Sequence, residues 1–155
     1  EPYYHALLNT DFPRCDMSYI FDQTQHGRYV VRESNAEDSN LEADYLATHF
    51  TLATDKIPGG NVYIDGELTH HIYDENSIMT YNEQSQQYEN VMLLKQGSYN
   101  YMYVFVPNGS KRATLAPTEG NYYPTINEYL IKVYHRPPGE RYDRLIGTAV
   151  CYSGK

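Results

Sequence analysis

The groups in this sequence that could do chemistry are 20 acidic residues, six histidines, two cysteines and an unusual 18 tyrosines. Their spacing arranges few of them for catalysis. His70 and His71 are the one adjacent histidine pair; neighbours on a strand point to opposite faces, so the two cannot easily chelate one metal. Glu37, Asp38, Glu42 and Asp44 form an acidic group without the alternating oxygen ligands and mid-loop glycine of a calcium loop, which reads as a solvated segment. Cys15 and Cys151 lack CxxC spacing and are too few for a disulfide framework; they could pair if the first and last strands are neighbours. No GxSxG, phosphate loop or HExxH occurs, and no motif specifies a cofactor or metal. What remains is tyrosine, which serves sugars as a stacking platform and protein partners as an anchor. Tyr122-Tyr123, between Gly120 and Pro124, reads as a pair of loop aromatics suited to a partner, with Tyr73 beside the histidines as a further candidate.

The elements that must position these residues are predicted to be strands. Tyr99, Tyr101, Tyr103 and Phe105 alternate with Met102, Val104 and Val106, so the segment is apolar or aromatic on both faces and belongs inside a sheet. Val91–Leu94 is a second apolar run, and Lys95-Gln96-Gly97-Ser98 between them is expected to be a tight turn using Gly97. This hairpin is taken as the centre of the fold. Further strands are expected at Tyr3–Leu8, Tyr19–Phe21, Tyr29–Val31, Tyr45–Ala53, Asn61–Asp65, Glu128–His135 and Leu145–Tyr152. Phe50, Leu52, Val62 and Ile64 are expected to face inward. Ser34–Asp44 is expected to be an exposed loop, and no helix of any length is expected. The connection from Pro107 to Thr125 is long enough to suggest a docking surface. Short strands with turn signals every ~8–12 residues predict an all-β, immunoglobulin-like β-sandwich, with residues 1–48 as an N-terminal β extension packing on a sandwich at 49–155.

Composition excludes several classes. A net charge of 12 − 20 = −8, with no basic cluster beyond Lys111-Arg112, argues against nucleic acid as a partner. No run reaches the ~18 apolar residues of a membrane-spanning helix. No secretory signal is present, and because the chain starts at Glu1 this says nothing of compartment.

Two resemblances follow from motifs. Gly60 through Val106 resembles the immunoglobulin-like, early-set glycogen-binding modules: a VYIDGE strand leads through a loop to LLKQGSYNYMY. Thr69-His70-His71 stands after the first strand where those modules use Trp, and this chain has no Trp. The resemblance implies glycan binding by His70, His71 and Tyr73. A second set of motifs runs through nearly the whole chain: Gly27–Arg32, Glu42–Tyr45 with His49–Leu52, Leu94–Gly97 with Tyr99–Tyr101, Glu119–Tyr123, Asn127–Tyr129 and Arg141–Gly147. In this order they resemble the C-terminal part of the type IX secretion system plug proteins of Bacteroidetes. The resemblance implies a non-enzymatic periplasmic subunit, associated with the outer membrane, that closes a large β-barrel translocon. It makes that barrel the partner and Tyr122, Tyr123 and Tyr73 the candidate contacts.

Overall fold

In the computed structural model, which describes residues 3–20, 24–25 and 27–153, the chain is all-β and sandwich-like, with almost no helix. It divides into two compact units, Glu1–Asn121 and Tyr122–Lys155.

In the first unit the strands are β1 (Tyr4–Leu7), β2 (Tyr29–Val31), β3 (Tyr45–Leu52), β4 (Gly60–Asp65), β5 (Thr80–Asn82), β6 (Gln87–Lys95), β7 (Gly97–Tyr99) and β8 (Met102–Pro107). One sheet has the order β1-β3-β6-β5, with β1 parallel to β3 and the other pairs antiparallel. A second layer is the antiparallel pair β4–β8. Alternation along each strand explains the core. Phe50 and Leu52 of β3 and Tyr88 and Met92 of β6 meet Val62 and Ile64 of β4 and Tyr103 and Phe105 of β8 in one buried cluster. The inward placement of Phe50, Leu52, Val62 and Ile64 is as their alternation predicts. Val104, on the opposite face of β8, is also buried, as expected of a strand apolar on both faces.

The central hairpin does not form. β6 pairs with β3, β8 pairs with β4, and between them β7 pairs antiparallel with β2, so the chain crosses from one layer to the other over 96–101. A two-residue hairpin turn needs positive φ, and Gly97 is not among the residues that adopt it. It is a glycine for a different reason. A Cβ there would lie 2.3 Å from the Val30 carbonyl oxygen and 3.1 Å from the Val31 Cα. Gly97→Ala is therefore expected to push β2 and β7 apart and to cost about 1–3 kcal/mol. A denaturant midpoint unchanged from the parent chain would show that the two strands are not in close register.

Other expectations are corrected as well. The boundary after residue 48 falls inside β3, because β3 runs unbroken from Tyr45 to Leu52 along β6. Within residues 1–48, β1 lies along β3, and Asp11 exchanges backbone bonds with the end of that strand, accepting from Ala53 N–H (2.8 Å) and donating to Thr51 O (2.9 Å). Tyr19–Ile20 is not a strand, and Phe21 lies outside the described residues. Within the expected loop 34–44 sits one α-helical turn, α1 (Ser39–Glu42). Its acids explain it: the Asp38 side chain accepts from Asn40 N–H while Glu42 accepts from Asp38 N–H, a reciprocal cap. One turn of 3-10 helix also follows β4, at Glu67–Thr69.

The first part of the long connection after β8 closes that strand's second edge. Phe105 and Thr114 exchange backbone bonds, and the buried Thr118 hydroxyl donates to Tyr103 O at 2.6 Å. The Glu119 carboxylate accepts from Tyr103 N–H at 2.9 Å. Burial pushes the Glu119 carboxyl above the ordinary carboxylate range, opposed by that N–H and by the Arg14 charge.

The second unit holds an antiparallel pair, β9 (Glu128–His135) and β10 (Arg144–Tyr152), with a bulge at Ile146 between the pairs Leu145–Tyr134 and Gly147–Val133. Both strands lie within two residues of their expected bounds. Pro137-Pro138-Gly139 turns the chain, with Gly139 at φ 89°. Arg136 grips Asp143 through two 2.9 Å bonds at that end.

Candidate functional site

Within the first unit, His70 is separated from His71 and Tyr73. After the 3-10 turn, His70 (φ 52°) and His71 (φ 56°) are both left-handed, a conformation that non-glycine residues seldom adopt. This backbone sends the two rings to different neighbours. His71 Nδ1 meets the Asp65 carboxylate at 3.1 Å, and the Asp65 side chain is buried. Tyr73 packs on Tyr63 with ring centroids 5.5 Å apart, and burial, then Asp65, pushes its hydroxyl pKa up. His71 and Tyr73 thus share Asp65 as a structural anchor. His70 instead lines a groove. Among the described residues no three His, Cys, Asp or Glu side chains stand close enough to hold a metal.

Tyr122 and Tyr123 open the second unit. Tyr123 is 100% exposed, whereas Tyr122 is partly covered. Cys15 and Cys151 are both free thiols. The Cys15 thiol donates to Pro117 O at 3.5 Å, and its pKa is raised, chiefly by burial.

The groove that His70 lines was not legible from spacing alone. Tyr29 of β2 and Tyr99 of β7 are opposed across an antiparallel pair and stack with centroids 5.1 Å apart and planes 18° apart. Tyr45, at the start of β3, carries the Lys95 ammonium 5.4 Å from its ring centroid. Lys95 also donates to Asn40 O in α1, and the Tyr99 hydroxyl donates to Lys95 O at 2.6 Å. These side chains, with Val31, Glu67 and Leu94, border a groove of about 320 Å³. Burial pushes the Tyr99 hydroxyl pKa up, so the ring presents a neutral hydroxyl at ordinary pH. The groove is of mixed character: three tyrosine rings and Val31, Leu68, Leu93 and Leu94 line it together with Glu67, His70 and Lys95.

A second groove of about 430 Å³ adjoins it, sharing Leu68, His70, Leu93 and Leu94. It runs along β6, whose pairing with β5 stops at Glu89. There the Asn90 amide donates to Asn76 O and Ile78 O, while its buried Oδ1 has no partner. Asp74 lies at this end, and its carboxyl is held below the ordinary range, first by Asn76 N–H.

What brings the first groove together is backbone. Arg32 N–H donates to Gln96 O, Gln96 N–H donates to Asp44 O, and Asn100 N–H donates to Arg28 O. Three separate sequence motifs, 27–32, 42–45 and 94–101, therefore meet at one place.

No protein-family model and no curated protein matches the sequence. Among solved structures, the chain is similar to the crystal structure of a hypothetical protein from Parabacteroides merdae. The two share 52% sequence identity over 97% of this chain, with a TM-score of 0.88. The match spans 38% of the length of the P. merdae chain.

Proposed function

We propose that this chain is a non-enzymatic binding and structural module resembling the plug subunit that closes an outer-membrane type IX secretion translocon. On this reading it is an immunoglobulin-like, early-set sandwich that acts in the periplasm, associated with the outer membrane. Its partner is the translocon barrel, and its mechanism is steric. The observation that carries the proposal is the convergence of three plug-like motifs on the groove bordered by Tyr29, Tyr45 and Tyr99. A cluster of aromatic anchors around an open groove suits a protein surface, because large rigid rings carry most of the energy of such contacts. Tyr123, wholly exposed, offers a second anchor.

The test is capture by the tagged chain from detergent-solubilised outer membrane of its source organism, with the captured protein identified by mass spectrometry. A very large β-barrel protein, displaced by untagged chain, is the expected result. Tyr29→Ala with Tyr45→Ala is expected to weaken that complex at least about tenfold, and Tyr122→Ala with Tyr123→Ala to weaken it less. Undiminished capture by the first pair would remove the groove from the interface.

The stacked Tyr29–Tyr99 pair also favours a second reading, a carbohydrate-binding module of glycogen-binding type. Sugar rings stack on such a platform, and Glu67 and His70 at the rim could bond hydroxyls. Of the three residues expected to bind glycan, His70 borders this groove, while His71 and Tyr73 are held at Asp65. Retardation in a glycan affinity gel, abolished by Tyr29→Ala, would favour this reading over the plug.

A further inference from the structure

The strand pair β9–β10 has no core of its own. Its register places Tyr129, Ile131 and Val133 on one face with Gly147, Ala149 and Cys151. The other face carries Leu130, Tyr134, Leu145 and Val150, and Lys132–Thr148 is the one wholly polar pair across its middle. Both faces are thus apolar, and every residue of β9 is exposed; Ile131 is 47% and Leu130 55% accessible. Two strands cannot cover two apolar faces, and an isolated two-stranded ribbon is marginal in water. The outer edges of β9 and β10 also carry main-chain groups that no other described strand pairs. The turn end is different, because Arg136–Asp143 and Arg144–Glu140 ion pairs keep it polar. The pattern, apolar on both faces along the strands and polar at the tip, is that of two strands placed inside a sandwich with their turn in water.

We infer that β9–β10 is a ribbon that completes a second β-sheet domain, and that the rest of this domain is polypeptide of the kind the P. merdae chain carries outside the matched 38% of its length. That chain matches the present one closely and has most of its residues beyond the match, so a cover encoded in the same polypeptide is available there. The cover is expected to present an open sheet edge to one strand of the ribbon and an apolar layer to each face.

Amide hydrogen exchange tests this, comparing β9–β10 in the 155-residue chain with the aligned strands in the full-length P. merdae protein. Exchange in the longer protein is expected to be slower by on the order of 100-fold or more, because the ribbon there opens only with its domain. Equal rates in the two proteins would overturn the inference. So would strong protection already present in the 155-residue chain. Protection that grows with the concentration of the shorter chain would replace the inferred cover by a second copy.

Discussion

Phe50→Ala is expected to lower the unfolding free energy of the first unit by about 3–5 kcal/mol, the cost of emptying an aromatic site in a packed core. Phe50 is 2% exposed, stands opposite Asn90 in the β3–β6 register, and meets the Tyr101 ring edge-on at 5.0 Å. Removing its ring takes contacts from both layers at once, since Phe50 comes from one sheet and Tyr101 leads into β8 of the other. Backbone hydrogen bonds of β3 cannot relax into the void without breaking the ladder to β6, so little of the loss is recovered. Val91→Ala makes the control, because Val91 sits on the outer face of β6, 55% exposed, and its truncation is expected to stay within about 0.5 kcal/mol. Urea denaturation of the three chains measures the contrast. Similar midpoints for the two variants would mean that the β3–β6 sheet does not face β4–β8 across this core.

Strand positions were largely legible in the sequence, and their pairing was not. Alternation located β3, β4 and β8 and placed Phe50, Leu52, Val62 and Ile64 inside, because period-two burial is written directly in residue type. The error at Gly97 shows the limit. Glycine between two apolar runs is the usual mark of a tight turn, yet here it permits the Val30 carbonyl to approach an extended strand. Both situations require the absence of a Cβ, and only the identity of the neighbouring strand separates them. That neighbour, β2, lies more than sixty residues away in the chain. Short helices were missed for a related reason: α1 is four residues long, too short to show any period, and its reciprocal Asp38–Glu42 cap is its one local signal.

The candidate site was legible only in pieces. Tyr122-Tyr123 stood out because neighbouring glycine and proline marked a loop, and Tyr123 is indeed exposed. His70 and His71 stood out by adjacency, but consecutive left-handed residues separate their rings rather than alternating them as a strand would. The Tyr29–Tyr45–Tyr99 groove gave no local signal, since each ring belongs to an ordinary strand pattern. These tyrosines fall in segments 27–32, 42–45 and 94–101, distant in sequence, which meet in space because backbone bonds such as Gln96 N–H to Asp44 O tie them together.

Asp11→Ala is the second substitution with a large expected effect, and it tests whether the N-terminal segment belongs to the core. One oxygen of the Asp11 carboxylate accepts from the hydroxyls of both Tyr101 and Tyr103, each at 2.8 Å. Tyr103 is buried, and both hydroxyl pKa values are pushed well up, first by burial and then by their shared neighbours, so both remain donors at any working pH. Removing the carboxylate takes away the acceptor that both hydroxyls share and leaves them only each other, so at least one buried donor loses its partner, at about 1–3 kcal/mol. The main-chain bonds of residue 11 to Thr51 and Ala53 survive the change, so the loss isolates the side chain. In a Tyr101→Phe, Tyr103→Phe background the sign should reverse. The carboxylate then sits against two rings without donors, and replacing it with Ala should be neutral or stabilising. Equilibrium unfolding of the four chains gives the coupling between Asp11 and the tyrosine pair. An equal cost of Asp11→Ala in both backgrounds would mean that the carboxylate acts elsewhere than on the two tyrosines.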